Sequence, residues 1–211
     1  MRTLNERPDV VPLVAEVFRE FGHEGASLSR ITKKSGVGKG SLHHFFPGGK
    51  EDMAKAVLDD VDAWFERHVF QPLRDDPPEI AIRRMWEAVD SYFRSGRRIC
   101  LVGAFALDGT RDRFAAAISG YFIRWIGSLR DALVRQGCNP ADASQAAEDG
   151  VLGIQGAIVL ARATKDEALF ARAIARLRSR MLHPEGQRGE HQDLWGGRDG
   201  RREDKRRGDR R

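Results

Sequence analysis

Apolar side chains recur every three or four residues along most of this chain, which is the spacing of one face of an α-helix. No run of alternating β-branched residues indicates a strand. The pattern predicts about nine helices, over residues 9–21, 28–35, 39–45, 50–69, 79–95, 100–107, 112–136, 140–163 and 166–182. We therefore expect an all-α fold, with a three-helix head followed by a larger helical bundle.

Helix-breaking residues separate the first four predicted helices. Gly22 is expected to end the first, and Ser27 is a good N-cap for the second. A turn over residues 36–38, Gly-Val-Gly, leads into the third helix, and residues 47–49, Pro-Gly-Gly, break the chain before the fourth.

Two short helices joined by a glycine-containing turn are typical of a helix-turn-helix, whose second helix lies in the major groove of DNA. Val37 and Leu42 are expected to fill the angle between the two helices. The side chains of the third helix expected to face outward are Lys39, Ser41, His43 and His44.

Glycine stands twice at the start of the third helix, at positions 38 and 40. In a helix it costs about 1 kcal/mol relative to alanine, so Gly38 and Gly40 need a reason. Close approach of the backbone to DNA is one, and a tight turn is the other.

The charge of the chain is unevenly distributed. Lys and Arg number 36 against 31 Asp and Glu, for a net charge of +5. Residues 51–183 are neutral overall, and no acidic residue occurs from Gly25 to Lys50. A polyanionic partner explains that gap, because each neutralised phosphate releases a counterion. A solvated basic face without a partner is the alternative.

Composition excludes several classes of protein. The two cysteines, Cys100 and Cys138, form no C-x-x-C motif, which argues against a disulfide scaffold and favours a reducing cytosol. The longest largely apolar run, Gly150 to Ala161, has 12 residues, whereas a membrane span needs about 20. The first residues lack the apolar stretch of a signal peptide. We therefore expect a cytoplasmic protein.

Nothing indicates catalysis, a metal site or a cofactor. Residues 36–41 resemble a phosphate loop, but Gly40 follows Lys39 where such a loop needs Ser or Thr. His43 and His44 are adjacent and so point about 100° apart on a helix, whereas helical metal pairs lie four residues apart. Cys100 is expected to be an inert core thiol.

The N-termini of helices favour phosphate. Ser27 and Lys50 begin the second and fourth helices, so both are expected to contact phosphates beside the groove. Such contacts position a protein on DNA without reading its sequence.

The head resembles the N-terminal domain of the TetR family of bacterial transcriptional regulators. The residues that carry this resemblance are Phe18, 21–28, Ile31, 35–46 and 50–53. The string over 46–51 is similar to the LmrA-like branch, as are residues 100–107 and 156–163 in the body. The resemblance implies a homodimeric repressor that binds double-stranded operator DNA and is released by a small-molecule effector.

Residue by residue, the resemblance implies that Lys39 and Ser41 meet bases or backbone and that Lys50 holds a phosphate. His43 occupies a slot that is usually tyrosine, and His44 the next outward slot. Phe45 replaces a common histidine and Gly38 a common serine or threonine, so the operator sequence does not follow from the family. The DNA-binding residues predicted are Ser27, Lys39, Gly40, Ser41, His43, His44 and Lys50.

The body is rich in large aromatic residues, most of which are expected to be core. A regulator also needs a mostly apolar cavity with a few polar groups. The predicted lining is Trp86, Phe93, Phe105, Phe122, Trp125 and Gln155. Gln155 interrupts an apolar face, and a buried amide needs a partner, which a ligand, the backbone or solvent could supply.

Small residues recur along the eighth predicted helix, at Gly150, Gly153, Gly156 and Ala157. They favour close approach of another helix. The ninth predicted helix adds an apolar face of Leu169, Phe170, Ala173, Ile174, Leu177 and Met181. We expect a four-helix homodimer interface, because a twofold dimer can read two half-sites with its two recognition helices.

These inferences divide the chain into three parts. Residues 1–50 are expected to bind DNA, and residues 51–183 to bind the effector and dimerise. Residues 184–211 contain six glycines and only Leu194 and Trp195 as large apolar side chains, so we expect a disordered basic tail. The predicted function is that of a sequence-specific transcriptional regulator, and a repressor is favoured over an activator. A ligand-independent architectural DNA-binding protein is the alternative.

Overall fold

The computed structural model describes residues 6–182. Its helices are α1 (Arg7–Gly25), α2 (Leu28–Ser35), α3 (Lys39–Phe45), α4 (Gly49–Phe65), α5 (Gln71–Asp75), α6 (Pro78–Phe93), α7 (Leu101–Ala106), α8 (Ala115–Arg135), α9 (Pro140–Thr164) and α10 (Glu167–Leu182). One π-helical turn, Glu66–Phe70, joins α4 to α5, and a 3-10 turn, Arg111–Phe114, precedes α8. No strand occurs within this range, and the all-α prediction is confirmed. The tail predicted over 184–211 lies outside the described residues.

The helix-turn-helix of the head forms as the sequence predicts. Ser27 caps α2, its hydroxyl oxygen accepting the Arg30 N–H at 3.3 Å. Gly36 ends α2 in the left-handed region at φ 72°, a conformation that glycine adopts without strain. Val37 and Leu42 are 5% and 1% exposed and fill the angle between α2 and α3.

α1 kinks at Gly22, where φ is 70° and ψ is 171°. The sequence predicts an end of the helix there, and the backbone does leave helical geometry at this residue. A further helical turn follows as far as Gly25, and within it the His23 ring is buried.

The sequence predicts that the fourth helix ends at about residue 69 and that Pro72 breaks the chain, but helical structure continues past Pro72. In the π turn the Gln71 N–H bonds to the Glu66 carbonyl, five residues back. Pro72 then lies in the first turn of α5, where its missing N–H costs little. The chain therefore remains helical as far as Asp75, where α5 ends.

The body packs α6, α8 and the α4–α5 segment around a cluster of aromatic rings, and α9 lies between α8 and α10. Phe65 is at the centre of the cluster, with ring centroids 5.1 Å from both Tyr121 and Trp125. No helix among the described residues is both long and apolar enough to cross a membrane.

The head and the body share one hydrophobic core that includes residues from Val10 to Met181. α1 packs on α4 and also on α7 of the body. The Phe18 ring of α1 meets the Phe105 ring of α7 edge to face, with centroids 5.9 Å apart. α1 is therefore held to the body as well as to its own head.

A polar cluster adds a second tie between α1 and the body. The Arg19 guanidinium, 6% exposed, donates to Glu16 at 3.0 Å and to the Tyr92 hydroxyl at 3.2 Å. Arg98 donates to the same Glu16 carboxylate at 2.9 Å. Burial lowers the pKa of Arg19 and raises that of Tyr92. Because its pKa is raised, the Tyr92 hydroxyl keeps its proton at neutral pH.

Candidate nucleic-acid interface

α3 turns its polar side chains outward because one apolar residue anchors it. Leu42 is buried against the rest of the head. Five of the predicted DNA-binding residues are exposed around it: Lys39, Gly40, Ser41, His43 and His44. The structure thus brings these five together on one short helix.

Ser27 and Lys50 flank that helix at the starts of α2 and α4. The exposed Ser27 uses a lone pair for the helix cap, which leaves its hydroxyl proton free to donate. Lys50 is half-buried, and its ammonium group lies 3.5 Å from the Glu24 carbonyl oxygen of α1. Both predicted phosphate contacts therefore lie at helix N-termini, but Lys50 leans toward α1.

Only some of the basic side chains between residues 25 and 50 are engaged by contacts within the described chain. Lys34 pairs with Glu20 at 2.8 Å, and Arg30 donates to the Gly25 carbonyl at 2.6 Å. Lys33 and Lys39 are exposed, and neither takes part in an ion pair between residues 6 and 182. They provide positive charge beside the outward face of α3.

Four of the six predicted effector-pocket residues are fully buried: Trp86, Phe93, Phe105 and Trp125. Phe122 and Gln155 are half-buried. The six do not all meet at one place. Phe93 and Trp125 each pack against Phe65, whereas Phe105 packs against Phe18 at the junction with the head.

None of those six residues lines either of two depressions in the described part of the chain. One, of about 560 Å³, lies between head and body, and the other, of about 160 Å³, lies beside α4 and α8. Tyr121 and Arg124 are among the residues that line the smaller one. The effector-pocket residues stay a prediction.

The interior of the body nevertheless contains polar atoms without partners. Three donors of buried aromatic side chains have no hydrogen-bond partner in the described part of the chain: the Tyr121 hydroxyl and the indole nitrogens of Trp86 and Trp125. The Gln155 side chain, in contrast, forms a hydrogen bond with the Cys100 thiol. Burial raises the pKa of Tyr121 well above its usual value, so this hydroxyl stays protonated and remains a donor. Trp86 and Trp125 are among the residues predicted to line the effector pocket, whereas Tyr121 is not.

A second residue that sequence reasoning missed is His23. It is 5% exposed, and neither of its ring nitrogens has a hydrogen-bond partner between residues 6 and 182. It lines the larger depression together with Lys50. Its only signal in the sequence is a histidine directly after Gly22, a pattern that does not distinguish a buried ring from a loop histidine.

α9 exposes an apolar stripe of Leu152, Val159 and Leu160, which are 67%, 60% and 53% exposed. Gly156 lies on the same helix, and a Cβ atom there would meet nothing within 4 Å. The apolar side chains that α10 exposes are small ones, Ala168, Ala171 and Ala175. These seven residues are called the α9–α10 face below.

Part of the predicted dimer surface is used within the chain instead. A Cβ atom on Gly150 would lie 2.5 Å from Met181, and one on Gly153 would lie 2.6 Å from Leu177, so these glycines admit the chain's own α10. The apolar residues of α10 that were expected to face a partner point inward, with Phe170, Ile174 and Met181 buried. The inward face was mistaken for the outward one because both faces of α9 are apolar.

Comparison with known proteins identifies both parts of the chain. Residues 15–57 match the family described as bacterial regulatory proteins, tetR family, and residues 78–176 match the C-terminal domain of LmrA/YxaF-like transcriptional regulators. The matched ranges coincide with the helix-turn-helix head together with the start of α4, and with most of the body.

Curated relatives agree with this result. The regulator LmrA of Bacillus subtilis is 24% identical over 168 residues, covering 77% of this chain and 89% of LmrA. YxaF of the same organism is 27% identical over 169 residues, covering 77% of this chain and 88% of YxaF. Rv0196 of Mycobacterium tuberculosis, an HTH-type regulator, is 27% identical over 172 residues, covering 76% of this chain and 86% of Rv0196.

Solved structures share the fold. A TetR transcriptional regulator from Legionella pneumophila superposes with a TM-score of 0.72 at 20% identity, covering 84% of this chain and 97% of that one. The regulatory protein TetR from Rhodobacter sphaeroides superposes with a TM-score of 0.68 at 23% identity, covering 80% of this chain and 95% of that one. From its two matched domains and these relatives, the chain belongs to the TetR family of bacterial transcriptional regulators, in the LmrA/YxaF-like branch, and is a DNA-binding regulator rather than an enzyme.

Proposed function

We propose that this regulator is a homodimeric repressor that reads two operator half-sites with α3 and leaves the operator when a small molecule occupies its body. The observation that carries the proposal is the outward face of α3, where Lys39, Ser41 and His44 are exposed while Leu42 is buried. The acid-free segment surrounds this face with positive charge. It would act in the cytoplasm, at the nucleoid.

Gly38 and Gly40 support direct approach of the α3 backbone to DNA. A Cβ atom at either position would meet nothing within 4 Å, and neither residue has a left-handed φ. The chain's own packing therefore does not require glycine at these positions, as a tight turn would. We assign Gly40 to close backbone approach and Lys39, Ser41, His43 and His44 to contacts in or beside the groove.

Ser27 and Lys50 would hold phosphates on either side of the recognition helix. Each lies at a helix N-terminus, where backbone N–H groups favour an anion. Lys50 must turn away from the Glu24 carbonyl to do so, and the 3.5 Å distance between them indicates a weak bond that is easily exchanged.

The α9–α10 face would form the dimer. α9 exposes large apolar side chains and α10 exposes alanines, so a second copy could bring its helices close and cover the stripe. Exposed contiguous apolar surface on a water-facing helix is typical of an interface. Two copies joined in this way form a four-helix contact.

The effector would enter the aromatic interior of the body. Burying a donor without a partner costs about 1–3 kcal/mol, and the Tyr121 hydroxyl and the Trp125 indole N–H are such donors among the rings there. An aromatic molecule carrying carbonyl or other acceptor oxygens would satisfy them and stack on the surrounding rings. By a population shift, its binding would favour a spacing of the two heads that no longer fits successive major grooves.

Selection of binding sites from random duplexes tests the DNA-binding part. We expect a palindromic consensus with half-sites one helical turn apart, about 34–36 Å. Ser41→Ala should change the consensus at one position of each half-site, and Ser29→Ala, an exposed serine of α2, should not. The absence of any preferred sequence would favour the architectural alternative.

Salt dependence separates phosphate contacts from base contacts. Lys50→Ala should weaken binding to all sequences alike and reduce the slope of log affinity against log salt by about 1 per half-site. Lys55→Ala is the matched control, since Lys55 lies on the same helix, is 70% exposed and pairs with Asp59. Equal effects of the two substitutions would contradict the assignment of Lys50.

A further inference from the structure

The larger depression is a groove at the junction of head and body, of about 560 Å³. Three segments that are distant in sequence line it: the end of α1, the start of α4, and the connection from α7 to α8. The lining residues are His23, Glu24, Gly48, Lys50, Glu51, Thr110 and Arg113. It is separate from the aromatic interior to which the effector is assigned above.

His23 is the residue that points to a ligand in this groove. Its ring packs among Phe18, Phe105 and Phe114, with centroids 5.7, 5.5 and 6.1 Å away. Both ring nitrogens lack a partner in the described chain, although the residue is 95% buried. An unsatisfied buried polar group weakens the fold unless something else bonds to it.

The charged groups around His23 come from every element that packs there. Lys50 and Glu51 belong to α4, Glu24 to α1, Asp108 to the connection after α7, and Arg113 to the 3-10 turn. Arg113 pairs with Glu51, whereas Lys50 has the weak bond to the Glu24 carbonyl and an electrostatic attraction to Asp108, with no hydrogen bond to a carboxylate in the described chain. The ammonium group of Lys50 is therefore the cation most available to a new anion.

The protonation state of His23 determines which hydrogen bonds its ring can make with a ligand. Burial lowers its pKa, with Lys50 adding to this effect and Asp108 opposing it. At neutral pH the ring is neutral, with one N–H donor and one nitrogen acceptor. A ligand that has both an anionic oxygen and a hydroxyl group would satisfy both nitrogens.

We propose that this groove is a second binding site, which takes a small carboxylate or phosphate anion that also carries a hydroxyl group. The anionic oxygens bond to Lys50, to the His23 N–H and to the outer edge of Arg113, and the hydroxyl donates to the other His23 nitrogen or to Glu24. Bound there, the anion holds Lys50 away from the operator phosphate. This last step rests on the function proposed above, whereas the site itself does not.

A phosphate titration of the full-length protein tests the site without DNA. Long-range ¹H–¹⁵N spectra follow the imidazole nitrogens, and His23→Gln assigns the His23 signal. We expect a saturable shift of that signal with inorganic phosphate at constant ionic strength, and a rise in its pKa. L-Malate should act in the same way. A shift that depends only on ionic strength, or none at all, would overturn the site.

Two arginines of the 3-10 turn provide the matched variants. Arg113→Gln should weaken phosphate binding about tenfold, the loss expected for a hydrogen bond to a charged group. Arg111 is equally exposed but does not line the groove, so Arg111→Gln should bind phosphate as the wild type does. If the His23 signal moves only when duplex DNA is added, the groove accepts backbone phosphate and the small-anion proposal is wrong.

Operator affinity tests the link to DNA. With ionic strength held constant by chloride, phosphate should weaken operator binding by the wild type and by Arg111→Gln but not by Arg113→Gln. In the absence of phosphate, all three should bind the operator equally. A confirmed site with no such effect would overturn the link alone. Failure of every variant to bind a selected operator would instead overturn the proposed function.

Discussion

Two tyrosines of the body occupy opposite positions with respect to hydrogen bonding. The Tyr92 hydroxyl accepts a bond from Arg19 at 3.2 Å, whereas the buried Tyr121 hydroxyl has no partner in the described chain. Removing a satisfied group exposes its partner, while removing an unsatisfied one relieves a cost. The same chemical change should therefore have opposite signs at the two sites.

We expect Tyr121→Phe to leave the free energy of unfolding unchanged or to raise it by up to about 2 kcal/mol. Tyr92→Phe should lower it by about 1 kcal/mol. Denaturant unfolding of the two variants and the wild type measures both. If Tyr121→Phe is the more destabilising, its hydroxyl has a partner in solution, and the argument for an acceptor-bearing effector fails.

His23 should make the folded protein sensitive to mild acid. Burial lowers its pKa in the folded state, so the unfolded chain binds a proton more readily. The free energy of unfolding is therefore highest above about pH 6.5, the pKa of histidine in an unfolded chain, and it falls as the pH drops below that value. His23→Gln should remove this loss between about pH 6.5 and 5, whereas His43→Gln, on the exposed face of α3, should retain it. Tm measured across this pH range gives the comparison.

Single residues were predictable where the reason is local. Ser27 caps α2, Gly36 takes a left-handed φ and Leu42 is buried, because neighbours within four residues decide each of these. His23 was not predictable, since its environment is made by Phe105 and Phe114, more than 80 residues away along the chain. Local pattern contains no information about that packing.

At the scale of elements, the turn after α6 is the most constrained connection. Arg94, Ser95 and Gly96 all have left-handed φ values, of 51°, 54° and 87°. A Cβ atom on Gly96 would lie 2.7 Å from the Cβ atom of Phe170 in α10. The turn and α10 therefore fit together only while position 96 lacks a side chain.

Gly96→Ala should destabilise the protein by several kcal/mol, because strain at φ 87° adds to overlap with a fully buried ring. Gly127 of α8 is the matched position, since a Cβ atom there meets nothing within 4 Å and its φ is not left-handed. Gly127→Ala should stabilise the protein by up to about 1 kcal/mol. Denaturant unfolding distinguishes the two, and a stable Gly96→Ala protein would contradict the packing described.

Helix bounds follow from sequence as far as local signals reach. Caps and glycines placed α2 and α3 at their observed residues, 28–35 and 39–45. The expected break at Pro72 was wrong because the π turn at 66–70 brings the proline into a first helical turn. That turn depends on the packing of Val69 and Phe70 into the core, which local residue preferences do not encode.

For the whole molecule, the α9–α10 face is the surface through which assembly is proposed. Leu152→Lys combined with Val159→Lys should convert the dimer to a monomer and reduce operator affinity by at least a hundredfold, because one head alone reads a single half-site. Analytical ultracentrifugation and operator titration measure the two effects.

Ile123→Lys provides the control for that double variant. Ile123 is 68% exposed on α8 and is not one of the seven residues of the α9–α10 face, so its replacement should leave both the mass and the operator affinity unchanged. Dimers that survive the double substitution would show that α9 lies outside the interface.

The shared core of head and body has a consequence for engineering. The Phe18 ring of α1 rests against the Phe105 ring of α7, and Glu16 and Arg19 bond to Arg98 and Tyr92 of the body. A chimaera joined at residue 50 would place a foreign α1 against this seam and lose the ring contact, the Glu16–Arg98 ion pair and the Arg19–Tyr92 hydrogen bond. Operator specificity is therefore better transplanted by exchanging the few outward side chains of α3 than by swapping the head as a cassette.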